Sequence, residues 1–206
     1  MTEQVTVQGV GRVEARPDTA LVDLGAEGRG ESVETALSIA SRAITAMAGA
    51  LREQGLDEND LRTQGPSTYT MTDDAGRVNA YVCSFQLTAR VTDTARAGEL
   101  LGRCVTQAGD AGRVHGVTFV VSERAEHQRQ ARMLASADAR ARAEQLAELV
   151  GRSLGRATKV TETGSGGGPP RPMHKAMSLS MESAPDVEAG VEQVSVSVEV
   201  TWVFAD

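Results

Sequence analysis

The sequence predicts an α+β fold in which a largely antiparallel sheet carries helices packed on one face. Three observations predict it. The closing stretch VSVSVEVTWVF alternates strictly, with Val194, Val196, Val198, Val200, Trp202 and Phe204 on one side, which is the period of a half-buried strand. Two long Ala-rich segments, Val33 to about Gln54 and about Ala125 to Val150, each stop at a glycine, Gly55 and Gly151, as helices do. Strand-like stretches then fall in adjacent pairs between helices, in the order β-β-α-β-β-α-β-α-β-β, a rhythm that favours antiparallel pairing over parallel crossovers. The strand-pair-then-helix rhythm recurs in the two halves and hints at an internal structural repeat.

The elements follow in order. Val5 and Val7 alternate with Thr6 and Gln8, Arg16-Pro17-Asp18 suits a type I turn, and Leu21 to Ala26 reads as the return strand of a hairpin or meander. Gly9 and Gly11 resemble half of a dinucleotide fingerprint, but the third position is Glu14 and no helix opens there. They therefore read as a bulge or sharp bend in the strand. Ser32 is placed to cap the first helix, whose apolar face is Val33, Ala36, Leu37, Ala40, Ile44, Met47 and Leu51. LDENDLRTQGPS leads into two more strands with Gly76 in the turn between them. The second puts Tyr81, Cys83, Phe85, Leu87, Ala89 and Val91 on one face. Asp93 can cap a second helix, to about Ala108, with Leu100, Leu101, Cys104 and Val105 on one side. Val114–Val121 and Arg156–Glu162 read as strands on either side of the third helix. Residues 1–206 read as one domain with a flexible Gly/Pro/Met-rich segment at about 164–190.

Composition narrows the function. A chain of 206 residues buries a sizeable core, and with aromatics at only 3% that core must be built from Val, Leu and Ala. A formal net charge of −7 argues against nucleic acid as a partner. Lysine occurs only at 159 and 175, so nearly all positive charge is arginine. No apolar run is long enough to span a membrane as a helix. The N-terminal MTEQVTVQ lacks a basic start and an apolar stretch, which reads as cytoplasmic. A trimmed mature form would instead be periplasmic or secreted.

No catalytic constellation emerges. GSGGGPP lacks the Lys-Ser/Thr of a phosphate loop. His115, His127 and His174 lie in different elements with no second ligand at metal spacing. Helix-three pairs such as Arg140 with Glu144 mark a solvated face. The residues therefore supply no cofactor site, no metal site and no enzyme assignment. Five side chains are candidates for oxidation: Cys83 and Cys104, which also read as core thiols on apolar faces, and Met173, Met177 and Met181, which recur every four residues.

Taken in order, VQGVGRVEARPDTALVDLGA, DENDLRTQG, AYVCSFQLTARVTD, AGELLGRCVTQAG, GVTFVVSE, ARMLASADARARAEQLAELVGRSLGRATKVTE and VSVSVEVTWVF resemble the SIMPL-domain family. That family includes YggE-like oxidative-stress proteins and a periplasmic immunogenic protein. The resemblance implies an α+β fold, homo-oligomers of ring- or channel-like form and a role in oxidative-stress tolerance, with no family active site to carry over. Most relatives carry a secretion signal, and Ala80 stands where they usually have glycine. The resulting expectation is a non-enzymatic, self-assembling protein whose partner is itself, with a further protein partner or cargo open. The closing strand and the 164–190 segment are its candidate subunit contacts. The alternative is a redox-active or ligand-binding protein using Cys83, Cys104 or the Met-rich segment.

Overall fold

The computed structural model describes residues 3–166 and 190–205. The element order is the expected one: β1 (Gln4–Ala15), β2 (Thr19–Gly30), α1 (Val33–Glu53), β3 (Leu61–Thr72), β4 (Val78–Val91), α2 (Ala97–Ala108), β5 (Gly112–Val120), α3 (Arg124–Leu149), β6 (Ser153–Gly166) and β7 (Glu192–Ala205). All strand pairs among the described residues are antiparallel, so the α+β class holds. The strands form two sheets, β1-β7-β6 and β3-β4-β2-β5, and the chain divides into two compact units accordingly.

The first unit holds β1, α3, β6 and β7. The clean alternation of β7 has a structural reason: it is the central strand, and Val196, Val198, Val200 and Trp202 pack against the alanine row Ala131, Ala135, Ala139 and Ala143 of α3. The expected hairpin of the first two strands does not form. β1 pairs with β7, from Gln4 opposite Val203 to Ala15 opposite Glu192, without a register break, so Gly9 and Gly11 make no bulge. They remove side chains where α3 lies against the strand. A Cβ at Gly9 would sit 2.5 Å from Ala139 N, and one at Gly11 would sit 2.6 Å from Ala135 N.

The second unit holds β2–β5 with α1 and α2. β2 pairs with β4 on one side and β5 on the other. Ala20, Val22, Leu24 and Ala26 of β2 join Leu87 and Ala89 of β4 under Ile44, Met47, Leu51, Leu100 and Cys104 of the helices. Ser32 caps α1 as expected, its hydroxyl accepting from Thr35 N at 3.2 Å. Five of the seven residues expected on the buried face of α1, Ala36, Ala40, Ile44, Met47 and Leu51, are buried, with Ala43 and Ala48 beside them, while Val33 and Leu37 are exposed. The cause is again a glycine pair. A Cβ at Gly28 would sit 2.7 Å from Ala40 N, and one at Gly30 would sit 2.7 Å from Thr35 Cβ. Small residues must face a strand approached this closely, so Val33 and Leu37, in the first turns of the helix, turn outward. A Gly-x-Gly strand under an Ala-x-x-x-Ala helix therefore occurs once in each unit, a physical counterpart to the repeat hinted at by the sequence.

Asp93 caps a short 3-10 turn, Thr94–Arg96, that precedes α2, its carboxylate accepting from Ala95 N at 3.3 Å. The last helix ends with Gly151 at φ +69. β6 runs from Ser153 to Gly166, longer than the expected Arg156–Glu162 and into the start of the expected flexible segment. The remainder of that segment, 167–189, lies outside the described residues.

Candidate functional site

Cys83 packs with Ala36 and Ala40 and is fully buried; Cys104 is equally buried in the larger core. Both are free thiols. Cys104 Sγ reaches Met47 O at 3.9 Å, a weak donor contact. Burial pushes the Cys83 thiol up and the Cys104 thiol up to about 11. Desolvation is the cause in both, and among the described residues no cation favours either thiolate. Met173, Met177 and Met181, with His174, lie outside the described residues. His115 rests its ring on the backbone of Gly25, where a Cβ would come 2.5 Å from its Nε2, and His127 Nδ1 lies 3.3 Å from Glu123 O. Among the described residues no group of three His, Cys, Asp or Glu side chains is placed to hold a metal.

Among the described residues, polar groups line concavities in the second unit. A cleft of about 440 Å³ between α1 and α2 includes Glu53, Gln54, Arg103 and Thr106, and Arg103 pairs there with Glu99 at 2.9 Å. A smaller one, about 230 Å³, is lined by Gln64, Gly65, Ser67, Ser84 and Gln86 on the sheet of the second unit.

The strand edges differ from one another more sharply than the concavities do. An open edge offers unpaired amides and carbonyls to any other strand, and proteins normally block it. β1 is blocked by α3: Val10 N donates to Asp138 Oδ2 at 2.9 Å, and Arg142 donates to Gln8 O at 3.3 Å. Arg142 and Asp138 pair with each other at 3.0 Å. Donation from Val10 N, followed by Arg142 and Arg12, holds the Asp138 carboxyl below the ordinary carboxylate range. A lowered folded-state pKa means that the contribution is complete above the unfolded value, about 3.9, and is lost as pH falls through the folded one. The expected result is that Asp138→Asn, which keeps the shape but loses the charge, weakens the protein at pH 7. It should also flatten the loss of stability below pH 4, as read by thermal melts across pH 3–7.

β6 carries Arg156, Lys159 and Glu162 and breaks register with β7 three times. β5 is kinked where its register with β2 shifts between Asp23 and Leu24, beside Gly116 at φ +150.

β3 is built otherwise. Its register with β4 breaks around Gly65–Pro66 and then runs regularly from Ser67 to Met71. Beyond Pro66 come Ser67, Thr68, Tyr69, Thr70, Met71 and Thr72, uncharged and all exposed, with the threonines and the tyrosine favouring a strand. Among the described residues this stretch pairs only with β4. Its tip is locked: Asp73 Oδ1 accepts from Ala75 N at 3.0 Å and Arg77 N at 2.9 Å, and Arg77 pairs with Asp73 at 2.9 Å. Donation from Arg77 N is the main reason the Asp73 carboxyl is also held low. The ribbon is thus ordered by its own turn, with Tyr69 52% exposed on one face.

This edge was absent from the sequence-based expectation, which put subunit contacts on the 164–190 segment, most of it outside the described residues, and on the closing strand. The latter placement is corrected by topology: β7 is central, both its edges are paired, and its apolar face is buried within the chain. The signal for the β3 edge is the uncharged run between Pro66 and Asp73.

No described helix is long and apolar enough to cross a membrane. The chain is 30% identical over 219 residues to the 26 kDa periplasmic immunogenic protein of Brucella melitensis, covering 97% of this chain and 84% of that protein, and equally to the protein of the same name from Brucella abortus. Relatives named as periplasmic overturn the cytoplasmic placement taken from the first residues, because the start of a chain does not report what precedes it. A solved structure described as AtUAH in complex with (S)-hydroxyglycine aligns with 63% of this chain and 34% of its own, at 10% identity and a TM-score of 0.27. A likeness that slight carries no argument. The SIMPL family model, described as a protein of unknown function (DUF541), matches residues 5–202, and the chain belongs to that family.

Proposed function

We propose that this is a periplasmic, non-enzymatic, self-assembling protein that forms a homo-oligomeric ring or channel-like particle and serves oxidative-stress tolerance or scaffolding. The observation that carries the assembly reading is the contrast among strand edges: β1, β5 and β6 are blocked, kinked or charged, while the outer half of β3 is neutral and, among the described residues, open. The periplasmic placement is supported by the names of the two Brucella relatives, and the tie to oxidative stress by the family resemblance. Sedimentation velocity tests the assembly: the purified protein at micromolar concentration should run as one particle several times the 21.7 kDa chain mass. A monomer there would sink the proposal.

A further inference from the structure

We infer that the β3 edge pairs with the β3 edge of a second copy, antiparallel about a two-fold axis through Thr70, joining two four-stranded sheets into one of eight strands. The inference rests on the assembly reading and names the surface and register that it uses.

Amide direction sets part of the register. Asp73 N points toward β4, donating to Arg77 O at 2.8 Å. Register with β4 shifts between Met71 and Thr72, but the extra residue, Asn79, is on β4 and β3 stays regular. Amides alternate along such a strand, so those of Thr72, Thr70 and Thr68 point outward, away from β4. An axis through Thr70 then forms a hydrogen-bonded pair at the centre. It sets Thr68 against Thr72 and Tyr69 against Met71, with Thr–Thr and aromatic–sulfur neighbours.

Moving the axis to Tyr69 would set Pro66, which has no amide hydrogen, opposite Thr72. Moving it to Met71 would set Tyr69 opposite Asp73 and Thr68 opposite Asp74. Centring on Thr70 places Pro66 and the two carboxylates at the ends of the ladder.

A second copy fits better than an unrelated charged strand because the stretch 67–72 has no charge to complement and like charges cannot meet across the axis. Tyr69 and Met71 are both exposed on the face they would share with Met71 and Tyr69 of the other copy.

Cysteine cross-linking tests the register. A hydrogen-bonded pair puts Cα atoms about 5.5 Å apart, within disulfide reach. Thr70→Cys should therefore form a disulfide-linked dimer under mild oxidation. Thr68→Cys alone and Thr72→Cys alone, whose own copies would stand about 13 Å apart, should form at least tenfold less. A mixture of Thr68→Cys and Thr72→Cys chains should cross-link to each other. Thr70→Lys, which sets two ammonium groups face to face, should at least halve the particle mass with an unchanged circular dichroism spectrum.

If wild type is assembled but Thr70→Cys gives no dimer, the β3 pairing is overturned and assembly uses another surface. If wild type is a monomer, both this pairing and the assembly reading fail. Where the lysine variant and the cross-link disagree, the cross-link decides, since it reports on the intact edge.

Discussion

Gly11→Ala is expected to destabilise the protein by on the order of 3 kcal/mol, a large effect for one added methyl. The new Cβ would fall on the carbonyl oxygen of Ala131 and lie 2.6 Å from Ala135 N. Both are backbone atoms of α3, so no side chain can rotate away to make room. The helix must lift from β1, and lifting it opens the contact between the alanine row and Val196, Val198 and Trp202. Trp202, the only tryptophan in the chain and 8% exposed, should report the change as a red shift and an earlier urea midpoint. The same substitution at Gly102 should have the opposite sign. A Cβ there meets nothing within 4 Å inside α2, and exchanging glycine for alanine in an exposed helix interior gains up to about 1 kcal/mol. If Gly11→Ala left the urea midpoint unchanged, α3 would not be seated on β1 as described.

Element order and type were legible because they rest on local signals. The alternation of β7, the Ser32 cap, and the glycines ending α1 and α3 each act within a few residues. For the same reason pairing was legible only where a short turn joins the partners, as Gly76 joins β3 and β4. Arg16-Pro17-Asp18 looks like a hairpin turn, yet the strands on either side of it belong to different sheets. Val13 finds its partner in Val194, and nothing near it in sequence points there. The face of α1 was largely legible, and its two misses, Val33 and Leu37, point in an instructive direction. Large apolar side chains are ordinarily the ones that turn inward, but a glycine-bearing strand admits only alanine, so Val33 and Leu37 point away. Read together, glycine pairs in strands and alanine rows in helices would have given these contacts. The β3 edge was visible as an uncharged run, but its openness depends on which other edges are closed, and the closure of β1 needs Asp138 to reach Val10 N across 128 residues.

Truncating Leu24 is expected to cost about 3 kcal/mol, within the usual range for a buried leucine cut to alanine. Leu24 is fully buried on β2, the strand flanked on both sides, opposite Leu87 in β4 and Val114 in β5. Both neighbouring strands fix its surroundings, so the cavity has little freedom to collapse. The thiols supply a second readout. Burial holds Cys104 at about 11, so at pH 8 its native form offers almost no thiolate, and a disulfide reagent must wait for opening. Where opening and closing are fast compared with labelling, the rate follows the open population, and 3 kcal/mol raises it roughly a hundredfold. Raising the pH should act through the same group. The folded pKa lies above the unfolded one, about 8.5, so stability is full below pH 8.5 and falls progressively up to about pH 11. Mild peroxide should accordingly leave Cys83 and Cys104 unmodified in the native wild type and oxidise them faster in Leu24→Ala. Fast oxidation of either thiol in the wild type, with no loss of structure, would instead favour redox chemistry at that cysteine and count against the assembly-only reading.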